Sequence, residues 1–202
     1  YRDHAKEELS FYSVATTDIE YRFPMGWGEL WGIADRTDYD LGVHTEHSGV
    51  DLRYLDPDTN EKYLPYVIEP SVGLDRLLYA ILTDAYTKET LDSGEERDVL
   101  KIHPALAPIK VTILPLIKKA HGDRAMDLYG DLAKYFMCSI DTSGSIGKRY
   151  RRSDAVGTPL CITVDDETIN NDTVTIRNRD TMEQITLPIS ELKSYIEEVI
   201  KF

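Results

Sequence analysis

Val67-Ile68-Glu69-Pro70-Ser71-Val72-Gly73-Leu74-Asp75-Arg76 is the stretch on which the reading of the fold turns. The run before it, Lys62 to Glu69 (KYLPYVIE), reads as a strand despite Pro65 and stops at Pro70. From Gly73 to about Tyr86, Leu74, Leu77, Leu78, Ile81, Leu82 and Ala85 recur at helical spacing. A strand thus delivers a carboxylate and a hydroxyl, Glu69 and Ser71, to a helix start, and glycine lets the chain turn closely. Arg76 falls in the first helical turn, where backbone N–H groups and the helix dipole favour an anion. A guanidinium there grips phosphate through two parallel hydrogen bonds. On local spacing alone, a surface ion pair between Glu69 and Arg76 at an ordinary helix start explains the same residues.

Working upstream, Phe23 to Leu41 reads FPMGWGELWGIADRTDYDL. Gly26, Gly28 and Gly32 bracket Trp27 and Trp31, and small residues beside flat aromatic walls make a tight cavity. Glu29 there is suited to an ammonium or a ligand amine. The plainer alternative has both tryptophans in the core and the carboxylates on the surface. Ile19 to Phe23 and Glu29 to Ala34 alternate as half-buried strands, and Thr37 to about His47 suits a short helix. Tyr1 to about Tyr12 reads as the tail of a helix, and the turn cluster Asp56–Asn60 as a hairpin. His44 and His47 are three apart, but no third metal ligand accompanies them, and surface or packing roles are expected.

Downstream, Thr87 to Asp98 is polar and reads as an exposed loop. His103 to Pro108 carries two prolines and reads as a stiff linker, which divides the chain into residues 1–103 and 104–202. The second part alternates: strand Ile109–Leu114, helix Arg124–Phe136, strand Cys138–Ile140, a loop through Gly147, strands Leu160–Val164 and Thr173–Arg177, then helix Ile189–Phe202. That pattern defines a small α/β domain with a mixed sheet. Between its elements lies Ser143-Gly144-Ser145-Ile146-Gly147-Lys148-Arg149-Tyr150-Arg151-Arg152-Ser153-Asp154. Its glycine spacing is wrong for a Walker phosphate loop. Basic residues interleaved with Tyr150 suit single-stranded RNA, where arginine meets phosphate and aromatic rings stack on bases; a solvated basic helix fits equally well.

Bulk properties narrow the classes. The chain has 202 residues, 42% hydrophobic and 29% charged, which suits a globular protein. No apolar run is long enough for a membrane helix and no leader is seen, so no membrane association and a cytoplasmic location are expected. The net charge of −13 argues against a protein that coats nucleic acid. Lys148, Arg149, Arg151 and Arg152 nonetheless form a local basic patch, which suits contact at selected points. Cys138 and Cys161 lie in apolar surroundings and read as buried reduced thiols. The chain opens on Tyr1 rather than Met, which predicts a piece of a longer polypeptide.

GWGELWGIADRTDYDL, then VIEPSVGLDR, then LAPIKVTILPL resembles the glycyl-tRNA synthetases of class II, in the bacterial form. VIEPSVGLDR looks like the third signature motif of that class. DTSGSIGKRYRRSDAVGTPLCITVD and TVTIRNRDTMEQI resemble the family's anticodon-binding domain. The resemblance implies an α/β (α+β) chain: part of the class II antiparallel-sheet catalytic domain, then the mixed-sheet anticodon-binding domain.

Position by position, it implies an ATP site at Glu29, Leu30, Gly73, Leu74, Asp75 and Arg76. It implies a glycine site at Glu69, Pro70, Ser71, Val72 and Gly73. Arg76 and Glu69 are the candidate catalytic residues, and Arg149, Arg152 and Asp154 the candidate anticodon contacts; Asp35 and Arg36 are left without a role beyond bracing. The implied ligands are glycine, ATP with Mg²⁺ and glycine tRNA, with a homodimer in the full-length protein, no metal site and no tightly bound cofactor. The other two class II motifs do not occur here, so the chain alone is expected not to activate glycine. A non-catalytic tRNA-binding paralogue is the competing reading.

Overall fold

The computed structural model describes residues 1–91 and 93–202. They form two compact units, Tyr1–Thr83 and Asp84–Phe202. The mixed α/β class expected from the sequence holds, with antiparallel strands in the first unit and a mixed sheet in the second. The division falls ahead of the Pro104–Pro108 linker, so residues 84–103 join the second unit.

The first unit runs β1 (Arg2–Asp3), β2 (Ala15–Phe23), β3 (Gly26–Asp35), α1 (Tyr39–Ser48), β4 (Tyr54–Leu55), β5 (Lys62–Tyr63), β6 (Ile68–Val72) and α2 (from Leu74 to Ala85). Four strands pair in the order β1-β2-β3-β6, all antiparallel. A tight turn at Pro24-Met25 joins β2 to β3, and Gly26 adopts φ +124°, which a side chain would resist. Two expectations are corrected. Tyr1–Tyr12 contains β1 and one 3₁₀ turn rather than a helix tail, because pairing with β2 outweighs the propensity of its Lys and Glu residues. The run Lys62–Glu69 is not one strand: Pro65 interrupts it, and pairing resumes at Ile68 and continues past Pro70 to Val72.

Only Phe23 and Ala80 are buried apolar residues within this unit. Phe23 lies flat against Tyr79 of α2, centroids 5.5 Å apart. Trp27 is 70% exposed and Trp31 is also exposed, so neither is a core residue.

The second unit continues with β7 (Tyr86–Thr90), β8 (Glu96–Leu100), β9 (Val111–Pro115), α3 (Lys118–Leu132), β10 (Cys138–Ile140), α4 (Ile146–Ala155), β11 (Leu160–Val164), α5 (Asp166–Asn171), β12 (Thr173–Asn178), β13 (Gln184–Pro188) and α6 (Leu192–Val199). The five-stranded sheet has the order β10-β9-β11-β12-β13; β9 is parallel to both neighbours, and β11, β12 and β13 are antiparallel. Every residue of β9 and β11 is buried, as expected of strands covered on both faces. Val111, Ile113, Leu128, Leu160, Ile162 and Ile196 belong to one continuous core. Cys161 lies in this unit with its thiol pushed up to about 12 by burial, and burial likewise pushes Cys138 up to about 11, so both are poor thiolates.

Thr87–Asp98, of which Asp92 lies outside the described residues, is not an open loop. It contributes to the antiparallel hairpin β7–β8, whose inward positions are Arg97 and Val99. Arg97 is the residue that fastens it: its side chain is 1% exposed and reaches Asp154 of α4 at 2.9 Å. Asp154 is fully buried and also accepts two hydrogen bonds from Arg177 of β12, at 2.8 and 3.1 Å. Burial opposes the charge on Arg177, but the Asp154 carboxylate outweighs it and raises its pKa.

Gly157 follows α4 at φ +81°, and a Cβ there would lie 2.9 Å from Ile102 Cγ2 and 3.1 Å from the Leu100 carbonyl oxygen. Gly157→Ala therefore combines backbone strain with overpacking. It is expected to cost about 1–3 kcal/mol, read as a lower unfolding midpoint in hydrogen exchange of the β9 and β11 amides; an unchanged midpoint contradicts the packing just described.

Candidate functional site

The β3–β6 pairing places Gly32 opposite Ser71 and Ala34 opposite Glu69, while β2 places Asp18 opposite Gly32 and Thr16 opposite Ala34. Residues two apart share a face of a sheet. Glu69, Ser71, Gly32, Ala34, Thr16 and Asp18 therefore share one face, and a cavity of about 330 Å³ opens over it. Pro70 and Val72 fall on the other face of β6. Of the five residues expected at the glycine site, Glu69 and Ser71 line this cavity and Pro70 and Val72 do not, as strand alternation requires.

Glu29 also lines the cavity, although it is an odd number of residues from Gly32. The pairing jumps from Ile19–Trp31 to Glu20–Glu29, so Leu30 is an extra residue in the ladder. Such a bulge reverses the alternation and turns Glu29 onto the cavity face. Arg76, from the first turn of α2, donates to the Glu29 carbonyl oxygen at 2.7 Å and lies 3.5 Å from Glu29 Oε2. Its side chain is 57% exposed. Arg76 also borders a second cavity of about 140 Å³ walled by Phe23, Trp27 and Tyr79.

Arg36 finds a definite place. It donates to Glu69 Oε2 at 2.7 Å, makes two bonds to Asp40 at 2.6 and 2.8 Å, and lies over the Tyr12 ring at 4.0 Å. Asp40 and then Glu69 hold its pKa above the ordinary arginine value, so it is a permanent cation fixing Glu69. Asp35 accepts the Thr37 backbone N–H at 2.9 Å and shapes the turn after β3. Gly73 accepts the Leu77 N–H at the helix start, Asp75 is exposed, and Leu74 is 78% exposed.

In the second unit the basic stretch is α4, and its residues are largely committed to the fold. Arg149 is buried, donating to the carbonyl oxygens of Pro115 (2.6 Å) and Gly144 (2.7 and 3.1 Å). Asp154 is buried between Arg97 and Arg177. Both were expected as anticodon contacts; the helix turns them inward, where their hydrogen-bonding capacity is taken up by the fold. Tyr150 is half-buried, bonded to Thr163 Oγ1 at 2.6 Å with Arg177 over one face of its ring. Arg152 remains half-exposed, paired with Asp141 at 2.6 Å. Beside α4, the hairpin residues Glu95, Glu96 and Asp98 face Arg151 and Arg152 across a cleft of about 580 Å³.

The opposite character appears at the carboxyl edge of the sheet. β10 and β11 lie on either side of β9, which makes the carboxyl end of β9 a topological switch point, the usual ligand position in such sheets. Lys118, Lys119 and Lys148 stand near this edge, exposed and in no ion pair among the described residues. A cavity of about 430 Å³ lies there, lined by Lys118, Asp123, Met126, Ile140 and Thr142.

Residues 110–199 match the family model described as "Anticodon binding domain". That part of the second unit is thus similar to anticodon-binding domains. Over its whole length the chain is similar to glycine--tRNA ligases: it is 62% identical over 201 residues to that of Clostridium tetani and 61% identical over 201 residues to that of Geobacillus thermodenitrificans. Each alignment takes in 100% of this chain and 43% of the ligase, so the chain spans less than half the length of these relatives. The resemblance read from GELWGIADR and VIEPSVGLDR is upheld. No helix among the described residues is long and apolar enough to cross a membrane.

Proposed function

We propose that the chain supplies the third-motif side of a glycine-activating site and the tRNA-reading domain of a glycine--tRNA ligase. The observation that carries this is the cavity shared by Glu29, Glu69 and Ser71, with Arg76 held against Glu29 at its edge. In the proposed reaction a carboxylate oxygen of glycine attacks the α-phosphorus of ATP. The bond to the β-phosphate bridging oxygen breaks, giving glycyl-adenylate and pyrophosphate; a terminal ribose hydroxyl of the tRNA then takes the glycyl group and AMP leaves.

Little proton chemistry falls to the protein, so its part is positioning and charge stabilisation. Glu69 is preorganised by Arg36, and Ser71 faces the same cavity. Arg76 is tied only by an exposed pair and one carbonyl, contacts weak enough in water for a polyphosphate to displace. ATP arrives with Mg²⁺ as its counter-ion, adding positive charge beside Arg76. Selection of glycine rests on exclusion by a cavity walled by backbone and carboxylates, since a missing methyl alone yields only about 10–200-fold discrimination.

The full-length protein carrying this segment is expected to catalyse ATP–pyrophosphate exchange stimulated by glycine and by no other amino acid. Absence of glycine-dependent exchange overturns the catalytic part. Tight tRNA binding without exchange is the result that favours a non-catalytic paralogue.

For RNA, the unpaired lysines at the carboxyl edge replace Arg149 and Asp154 as the leading contacts. Lys118→Ala and Lys148→Ala are each expected to weaken glycine tRNA binding and to reduce the salt-dependence slope by about one. Arg149→Ala is expected to lower stability and leave that slope unchanged. A reduced slope in Arg149→Ala, with the lysine variants unaffected, returns the contact to the inner face of α4.

A further inference from the structure

We infer that Asp18 is a specificity-determining residue of the same cavity, a third carboxylate that receives the ammonium group of a small α-amino acid across Gly32. This rests on the reading of the cavity as the glycine site. Asp18 is 6% exposed, yet only one of its carboxylate oxygens is used by the protein: Oδ2 accepts from His4 Nε2 at 2.8 Å and lies 3.6 Å from Arg2. Oδ1 makes no hydrogen bond among the described residues and faces the space above Gly32, 3.7 Å from where a Cβ would stand. Glu29 Oε1 faces the same point from the other side at 3.3 Å.

Asp18 Oδ2 accepts from His4 and Glu69 Oε2 from Arg36, while Glu29 Oε2 lies 3.5 Å from Arg76 as an ion pair only, which leaves Asp18 Oδ1, Glu69 Oε1 and both Glu29 oxygens without a hydrogen bond among the described residues. A buried carboxylate keeps its charge only where something compensates it, and a half-used one in a cavity invites a cation. An ammonium group carries three N–H donors and no acceptor, and three carboxylates with such oxygens line this cavity. Gly32 matters for the same reason. It is the strand position between Asp18 and Glu29, and any side chain there would fill the gap through which both reach the substrate.

Asp18→Asn keeps the shape and removes the charge. In glycine-dependent exchange by the full-length protein it is expected to raise the KM for glycine about tenfold or more, and to leave the KM for ATP unchanged. An unchanged KM for glycine, or an equal rise in both constants, overturns the proposal. Gly32→Ala covers the case in which Asp18→Asn fails to fold, because its methyl meets only the carboxylate ends of the Glu29 and Asp18 side chains, at 3.3 and 3.7 Å, and Glu29 is exposed enough to give way. It is expected to raise the KM for glycine with the melting temperature unchanged, and a wild-type KM for glycine in that variant overturns the proposal by itself. Failure of the underlying site reading is separate: the unsubstituted protein would then show no glycine-dependent exchange at all.

Discussion

Arg76→Ala is expected to lower glycine-dependent ATP–pyrophosphate exchange by about 10²–10³-fold, the usual consequence of removing one preorganised charge donor from a site of developing anionic charge. Arg76 enters from the first turn of α2 and reaches back to the carbonyl oxygen of Glu29 on β3. It stands where the helix dipole already favours an anion. It is half-exposed and contributes nothing to the buried core, so the variant should fold as the parent does. The loss should therefore appear in exchange and not in the unfolding midpoint. Arg76→Lys should recover only part of it, because an ammonium cannot make the two parallel bonds that a guanidinium makes to phosphate. Normal exchange in Arg76→Ala would remove Arg76 from the ATP site and leave its bond to Glu29 as a strand-to-helix tie.

The second large effect concerns stability. Asp154→Asn leaves the buried Arg177 without a counter-charge among the described residues and leaves the buried Arg97 with Glu89 alone, 2.6 Å away; the Arg97 and Arg177 side chains are 1% and 7% exposed. Breaking a buried ion pair by removing one partner costs about 3–5 kcal/mol. The hairpin β7–β8 should loosen first, because Arg97 is its link to α4. Hydrogen exchange of the β9 and β11 amides reads the second unit by itself, and about 3–5 kcal/mol corresponds to faster exchange by roughly two to three powers of ten or more. Exchange changed less than tenfold would show that the pair is solvated and that apolar contacts hold the hairpin.

The junction at Glu69–Arg76 was legible because proline, glycine and helical periodicity mark its ends with local chemistry. The strands β9 and β11 were legible because continuous apolar runs have few other uses. The hairpin β7–β8 was not: its inward positions include Arg97, which reads as solvent-facing until Asp154, far along the chain, is seen to meet it. The basic stretch Lys148–Arg152 was misleading for the converse reason. Composition records how many cations a helix carries, whereas its rotation decides which are buried, and Arg149 is turned onto the carbonyls of Pro115 and Gly144. At the candidate site, Glu29, Glu69, Ser71 and Arg76 were all named from the sequence. That Pro70 and Val72 face away needed only the strand register, but the bulge at Leu30 that turns Glu29 inward has no local signature.

The linear order of residues determined the family resemblance, the α/β character of both halves and the identity of the chemical groups around the cavity, because short-range periodicity and motif spacing are written in neighbouring positions. The tertiary structure alone decided which groups share a face, which are held by a counter-ion and which keep a free oxygen, as Asp18 does opposite Gly32. Burial and pairing depend on partners many residues away, and a charge changes its role when such a partner takes it out of water.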